Sequence, residues 1–269
     1  MGFKYGKVLV LGATSGIGWA MAKKFLDEGC SVVIVGRRKE NLDDFVSKYG
    51  KDGKVDSIQF DITDLKAIPK FVSDIVSKHA DLDCVFMNSG IQRHLDWKEP
   101  EKVDLDLLET EFTTNYLSYM HLTKAFLPFL QKQAPKEVAL VYVTSGLALI
   151  PIVYCPNYCA SKAALHHMVL AMRLQMKEMN SNVKIVELLP PAVQTELHDD
   201  KHQPEFQGKG GNIGMPLADF VEEAYAGLNS KENEQVPVEN VHKMMGFNEW
   251  EMERQNKMNK MYEMMKASH

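Results

Sequence analysis

Residues 9–25 read LVLGATSGIGWAMAKKF. A branched apolar run meets three glycines, Gly12, Gly16 and Gly18, and passes into a stretch of helical character. A glycine triplet alone marks only a turn, so the order of strand, glycine loop and helix supplies the meaning. Backbone N–H groups at a helix start can face an anion, and the missing side chains let that anion come close. The stretch therefore predicts a phosphate cradle, with a dinucleotide pyrophosphate as its natural occupant.

Working outward, apolar runs at residues 8–11, 32–35, 57–60, 84–87, 138–143 and 183–188 alternate with helical stretches at 17–28, 40–48, 69–79, 105–130 and 157–179. The runs are continuous rather than alternating, as expected of parallel strands buried on both faces. Right-handed crossovers then place helices on both sides of the sheet. The predicted fold is α/β, a doubly wound parallel sheet in a single domain over residues 1–269. Its core spans 1–195. Residues 196–216, polar and rich in Gly and Pro, predict a long mobile loop that serves as a substrate lid. Residues 217–269 form a C-terminal helical region in which QVPV, 235–238, hints at a short strand. There Phe247, Trp250, Met258, Met261 and Met265 recur near helical spacing, a stripe expected to pack on its own domain, with a subunit contact as the sharper alternative.

Composition bounds the function. With 45% hydrophobic and 25% charged residues the chain reads as an ordinary globule, and a net charge of −5 without a dense Lys/Arg run argues against nucleic acid. No long apolar segment suggests a membrane span or a signal peptide, so the expected location is cytoplasmic. Cys30, Cys84, Cys155 and Cys159 lack zinc or redox spacing and read as buried structural thiols, Cys159 having no helix N-terminus or histidine to activate it. A small-molecule ligand is the expected partner.

The second strand run ends IVGRRKENL. A site for NAD usually carries a carboxylate there, whereas a site for a 2′-phosphate omits the acid and supplies arginine. Gly36-Arg37-Arg38 has the second form, so Arg37 and Arg38 favour NADP(H). Tyr158 and Lys162 stand four apart in a helical stretch and share a face, where the ammonium is expected to lower the pKa of the phenol. Ser145 closes the fifth apolar run thirteen positions earlier, at the end of the sheet where α/β ligands bind. His198 and His202, with Asp199 and Asp200 between, lie in a loop without a third ligand, and no metal is expected. His198 is more simply a substrate contact. His166 and His167 are neighbours on a helix and diverge.

From Lys7 to Thr195 the chain resembles short-chain dehydrogenases/reductases: Gly12-Ala-Thr-Ser-Gly16-Ile-Gly18, Asp61, Asn88-Ser-Gly90, Asn115, Ser145, Tyr158-x3-Lys162 and Pro190-x4-Thr195 occur in order and spacing. The resemblance implies that Tyr158 is the general acid in carbonyl reduction, or the base in the reverse direction. It implies that Ser145 holds the same oxygen, that Lys162 bonds the nicotinamide ribose, and that Asn115 holds a water joining Lys162 to solvent. Gly12, Thr14, Ser15, Gly16, Ile17 and Gly18 would cradle the cofactor. Asp61 and Ile62 would meet adenine, although a helix N-cap explains Asp61 equally well. Asn88, Ser89 and Gly90 would line the cleft, and Pro190, Val193 and Thr195 would meet the nicotinamide end. Leu11, Ser89 and Pro191 depart from the family pattern without removing a catalytic group, and Pro191 deletes an N–H beside the nicotinamide.

The implied activity is NADPH-dependent reduction of a ketone or aldehyde. Ser145, Leu147, Tyr154, Tyr158, Leu197 and His198 are the candidate substrate contacts. Ile91, Leu95, Trp97, Leu149, Val153 and Val193 extend the apolar wall. The alternatives are a dehydrogenase of a polar alcohol or sugar, favoured by Lys201 and Lys209 in the lid, and a non-catalytic NADP(H) sensor. Relatives pair through the helices matching 105–130 and 157–179, so a homodimer or homotetramer is implied.

Overall fold

Val8 and Val10 turn to one face of the first strand and Leu9 and Leu11 to the other, and each pair enters a different core. That division is the consequence of period-two side chains on a strand covered by helices on both sides. A computed structural model describes residues 5–199, 203–208, 210–230 and 234–267. Among these, β1 (Lys7–Leu11), β2 (Ser31–Gly36), β3 (Val55–Gln59), β4 (Cys84–Met87), β5 (Val138–Val143), β6 (Val183–Leu189) and β7 (Gln235–Pro237) form one sheet. Its order is β3-β2-β1-β4-β5-β6-β7, and every pairing is parallel. The order reverses beside β1, where Leu11 pairs with Val35 on one side and Met87 on the other. A crevice at the carboxyl ends of the strands follows from that reversal.

Helices α1 (Gly16–Asp27), α2 (Lys39–Tyr49) and α3 (Ile68–Lys78) follow the first three strands. The stretch expected as one helix over 105–130 is divided: α4 (Leu105–Phe112), a π turn (Thr113–Leu117) and α5 (Ser118–Gln131). Thr113, Thr114 and Asn115 are weak helix formers. Thr114 Oγ1 donates back to Thr110 O at 2.8 Å and Ser118 Oγ to Thr114 O at 2.7 Å, bonds that loosen the regular ladder. α6 (Pro156–Glu178) carries the Tyr-x3-Lys pair, and α7 (Leu217–Leu228), α8 (Glu239–Met244) and α9 (Met252–Ala267) follow β6. None of the described helices is long and apolar enough to cross a membrane.

Where residues 196–216 are described, the segment expected as a mobile lid is folded. It makes short 3-10 turns at Glu196–His198, Pro204–Phe206 and Gly210–Asn212, and Met215 returns to bridge Val193. Asp200, Lys201, His202 and Lys209 lie outside the described residues. The C-terminal stripe packs on the domain only in part. Phe247 is buried and Met258 half-buried, but Trp250, Met261 and Met265 are exposed. A buried polar cluster at Glu251, Arg254 and Gln255 sets the rotation of this segment instead.

Candidate active site

The carboxyl ends of the central strands open into one cavity of about 630 Å3. At one end the glycine loop turns away from β1, with Gly12 N–H and Ala13 N–H both donating to Val35 O, at 2.9 and 3.0 Å. Gly12 has φ +78°, and a Cβ there would lie 2.7 Å from Ser89 Cα. A Cβ on Gly18 would lie 2.1 Å from Gly12 O, so this glycine serves the packing of α1 on β1 and does not itself line the cavity. Asn88 Nδ2 donates to Gly12 O at 3.1 Å, which ties the end of β4 to the loop.

Arg38 is built into the loop. Its Nη2 donates to Thr14 Oγ1 at 2.8 Å and Ser15 Oγ at 2.7 Å, and meets Glu196 Oε1 at 2.6 Å. Arg37 is more exposed, 3.9 Å from Asp61 Oδ2 at the cavity mouth. Asp61 does not cap α3. Its Oδ1 accepts Thr63 N–H at 3.0 Å and Thr63 Oγ1 at 2.8 Å, closing a local turn several residues before Ile68. Ile62 and Thr195 line the cavity, and a Cβ on Gly16 would lie 3.2 Å from Thr195 Cβ.

At the other end stand Ser145, Tyr158 and Lys162. Tyr158 is 8% exposed, and burial pushes its phenol well above the ordinary value despite a hydrogen bond with Ser145. Lys162 donates to Val143 O at 2.9 Å, with Nζ 5.7 Å from the centre of the Tyr158 ring. Burial pulls this ammonium down to about 8. The expected lowering of the phenol by Lys162 is therefore outweighed: desolvation drives both groups toward their neutral forms. At neutral pH Tyr158 keeps its proton.

Asn115 lies behind the cavity wall, in the π turn. Its Oδ1 accepts Ile91 N–H at 2.9 Å, while Nδ2 donates to Ile91 O at 2.9 Å and Ser161 Oγ at 3.1 Å. Gly90 separates it from Lys162, since a Cβ there would lie 3.4 Å from Asn115 Oδ1 and 3.7 Å from Lys162 Nζ.

A dinucleotide fits this cavity. The glycine cradle faces α1, whose first-turn N–H groups have no acceptor within the helix. The donors of Ser15 and Arg38 already hold an anion, the Glu196 carboxylate. The sequence model of the short chain dehydrogenase family matches residues 6–205. The chain belongs to the short-chain dehydrogenase family.

Among its relatives, an uncharacterized oxidoreductase, DltE, of Bacillus subtilis is 34% identical over 205 residues, covering 75% of this chain and 78% of that protein. A benzil reductase ((S)-benzoin forming), IRC24, of Saccharomyces cerevisiae is 32% identical over 197 residues, covering 72% and 73%. A short chain dehydrogenase/reductase from Burkholderia phymatum in complex with NAD shares the fold, with a TM-score of 0.79 at 16% identity over 93% of this chain and 97% of that one.

The substrate side of this short-chain dehydrogenase differs from expectation. Ile91, Leu147, Tyr154, Val193, Leu197 and His198 line the cavity, but Leu95, Trp97, Leu149 and Val153 do not. Trp97 and Val153 are 58% and 97% exposed, and Leu149 packs with Leu189, Val241 and Phe247 beneath the site. Gln92, Arg93, Ile152, Phe206 and Met245 complete the wall. Phe206 stacks on Tyr154 at 4.9 Å, and a Cβ on Gly146 would lie 2.3 Å from Met245 Sδ. No motif marks Phe206 or Met245, because both reach the site through loops folded back from outside the family match or its last residues. Burial lowers the pKa of His198, which favours a neutral ring on the wall. Cys159 is buried as expected, although it lies in the first turn of α6, where the neighbouring Cys155 thiol holds it below the ordinary thiol value.

Proposed function

We propose that this oxidoreductase is an NADPH-dependent carbonyl reductase acting on an apolar or aromatic ketone or aldehyde, and reversible as an alcohol dehydrogenase. The observation that carries the reading is a buried phenol, Tyr158, hydrogen-bonded to Ser145 in the same cavity as an anion cradle flanked by Arg37 and Arg38. When bound, reduced nicotinamide supplies the hydride.

The chain supplies the rest. Tyr158 Oη gives its proton to the carbonyl oxygen as negative charge grows there, and the Ser145 hydroxyl steadies that charge. Lys162 holds the nicotinamide ribose and returns a proton to the tyrosine, with Asn115 ordering the water that refills it. Gly12, Thr14, Ser15, Gly16 and Ile17 hold the pyrophosphate, while Arg37 and Arg38 take the 2′-phosphate in the absence of an acid at the end of β2. Asp61 and Ile62 meet adenine; Asn88, Ser89 and Gly90, then Pro190, Val193 and Thr195, follow the cofactor toward nicotinamide. Tyr154, Phe206, Leu147, Leu197 and Ile152 give the substrate an aromatic and aliphatic wall, and the likeness to a benzil reductase supports an aromatic carbonyl compound. The reading includes a cytoplasmic homodimer or homotetramer joined through the α4–α5 segment and α6.

Absorbance of NADPH in the presence of a panel of aryl and alkyl ketones tests the activity. Tyr158→Phe should lower kcat by about a hundredfold or more while NADPH binding, followed by fluorescence titration, is retained. Equal turnover by the variant would remove the phenol from the mechanism.

A further inference from the structure

We propose that Glu111, which no motif marks, is a positioning residue for the catalytic pair: its buried carboxyl clamps the loop after β4 to the start of α6 and supplies the negative charge that opposes the desolvation of Lys162. The proposal rests on the carbonyl-reductase reading of Tyr158 and Lys162. Glu111 stands on α4, one turn before Asn115, and is 2% exposed. Its Oε1 accepts Arg93 N–H at 2.8 Å and its Oε2 accepts Asn157 Nδ2 at 2.6 Å. Asn157 immediately precedes Tyr158, and Arg93 lies two residues beyond Ile91, the residue that Asn115 grips. One helical turn thus holds both walls of the catalytic centre.

The electrostatic part follows from burial. Among the described residues Lys162 has a backbone carbonyl, Val143 O, as its hydrogen-bond acceptor and no carboxylate in ion-pair contact. A buried ammonium without an opposing charge sheds its proton. Glu111, on α4 where that helix packs against α6, is the acid whose charge opposes that loss. The other titratable groups packed around this centre are Tyr158, Cys155 and Cys159 on α6, Tyr119 on α5 and Arg93 on the loop. Glu111 is the carboxyl among the groups around Lys162; one turn along α6 His166 binds a second buried acid, Glu187, whose oxygens are taken up by His166, Thr144 and Gln235. Burial raises its own pKa, against which the bonds from Asn157 and Arg93 and the charges of Arg93 and Lys162 work.

Glu111→Gln keeps the shape and removes the charge. Lys162 then deprotonates at lower pH, and Tyr158, relieved of a nearby negative charge, moves in the same direction. The alkaline limb of carbonyl reduction should fall by about one pH unit. Asn157→Ala keeps the charge and loosens the clamp, so it should lower kcat and leave the limb in place. Independently of turnover, an NMR titration of 15N-lysine protein, with the Lys162 signal assigned by its loss in Lys162→Met, should show the midpoint falling by about one unit in Glu111→Gln and holding in Asn157→Ala. Should Glu111→Gln not fold, Glu111→Asp takes its place and should keep the wild-type midpoint. An unmoved midpoint in Glu111→Gln, or a fallen one in Glu111→Asp, overturns the proposal. A shifted midpoint in a protein that reduces no ketone would instead sink the reductase reading and leave the charge assignment standing.

Discussion

Arg38 shows how much a single side chain decides here. One guanidinium nitrogen serves Thr14, Ser15 and Glu196, so the arginine is oriented by the glycine loop before any ligand arrives. Among the described residues Arg37 has the longer contact to Asp61 and a more exposed side chain. Arg38→Ala should therefore raise the KM for NADPH by about tenfold or more, the scale of a lost charged hydrogen bond, and change the KM for NADH much less. Steady-state kinetics with the two cofactors measures it, and equal losses would remove Arg38 from 2′-phosphate recognition. At this scale the sequence was readable where chemistry is local: helical periodicity alone puts Tyr158 and Lys162 on one face. The partner of Arg38 was not readable, since Glu196 lies far along the chain and only the return of the segment after β6 brings it to the loop.

Among elements, the strands were legible because burial on both faces leaves continuous apolar runs, and β1, β4 and β5 fall where those runs lie. The break in the helix over 105–130 was not, because its cause is tertiary. Asn115 binds both the N–H and the C=O of Ile91, and the π turn is the shape that turns this side chain onto the loop after β4. Asn115→Ala strands those two backbone groups and takes one incoming bond from the Ser161 hydroxyl, which still donates to Tyr158 O. The expected cost is about 2–4 kcal/mol, read from the urea midpoint, together with a fall in turnover. A variant as stable as the parent would show that the π turn persists without the bonds that the asparagine makes.

For the whole molecule, the least predictable feature is a buried charge cluster that joins the C-terminal segment to the sheet. His166 Nδ1 lies 2.7 Å from Glu187 Oε1 and Nε2 lies 3.1 Å from Glu251 Oε1, with all three residues 0% exposed. Thr144 Oγ1 also donates to Glu187, and Arg254 and Gln255 donate to Glu251. Read along the chain, His166 and its neighbour His167 are merely adjacent and divergent; the two carboxylates that give His166 its role come from β6 and from the turn before α9. The carboxylates outweigh desolvation and the Arg254 guanidinium, whose Nη2 lies 2.7 Å from His166 Nε2, and raise His166 from 6.5 to about 9, while Glu251 is lowered from 4.5 to about 2 against its own desolvation, by bonds from His166, Arg254 and Gln255. A raised histidine stabilises the fold fully below its unfolded value and loses that contribution as pH climbs through the folded value. The depressed glutamate behaves oppositely, stabilising above 4.5 and failing as pH drops toward 2. Between about pH 5 and 6.5 both contributions are present, so thermal stability should be greatest there with respect to this cluster. From pH 6.5 to 9 the parent should lose stability, at most on the order of 3 kcal/mol, as scanning calorimetry across that range would measure. His166→Gln should begin less stable at pH 6 and lack that decline; a variant that follows the parent's curve would show that the alkaline loss arises elsewhere and that the cluster does not govern how the C-terminal segment is held.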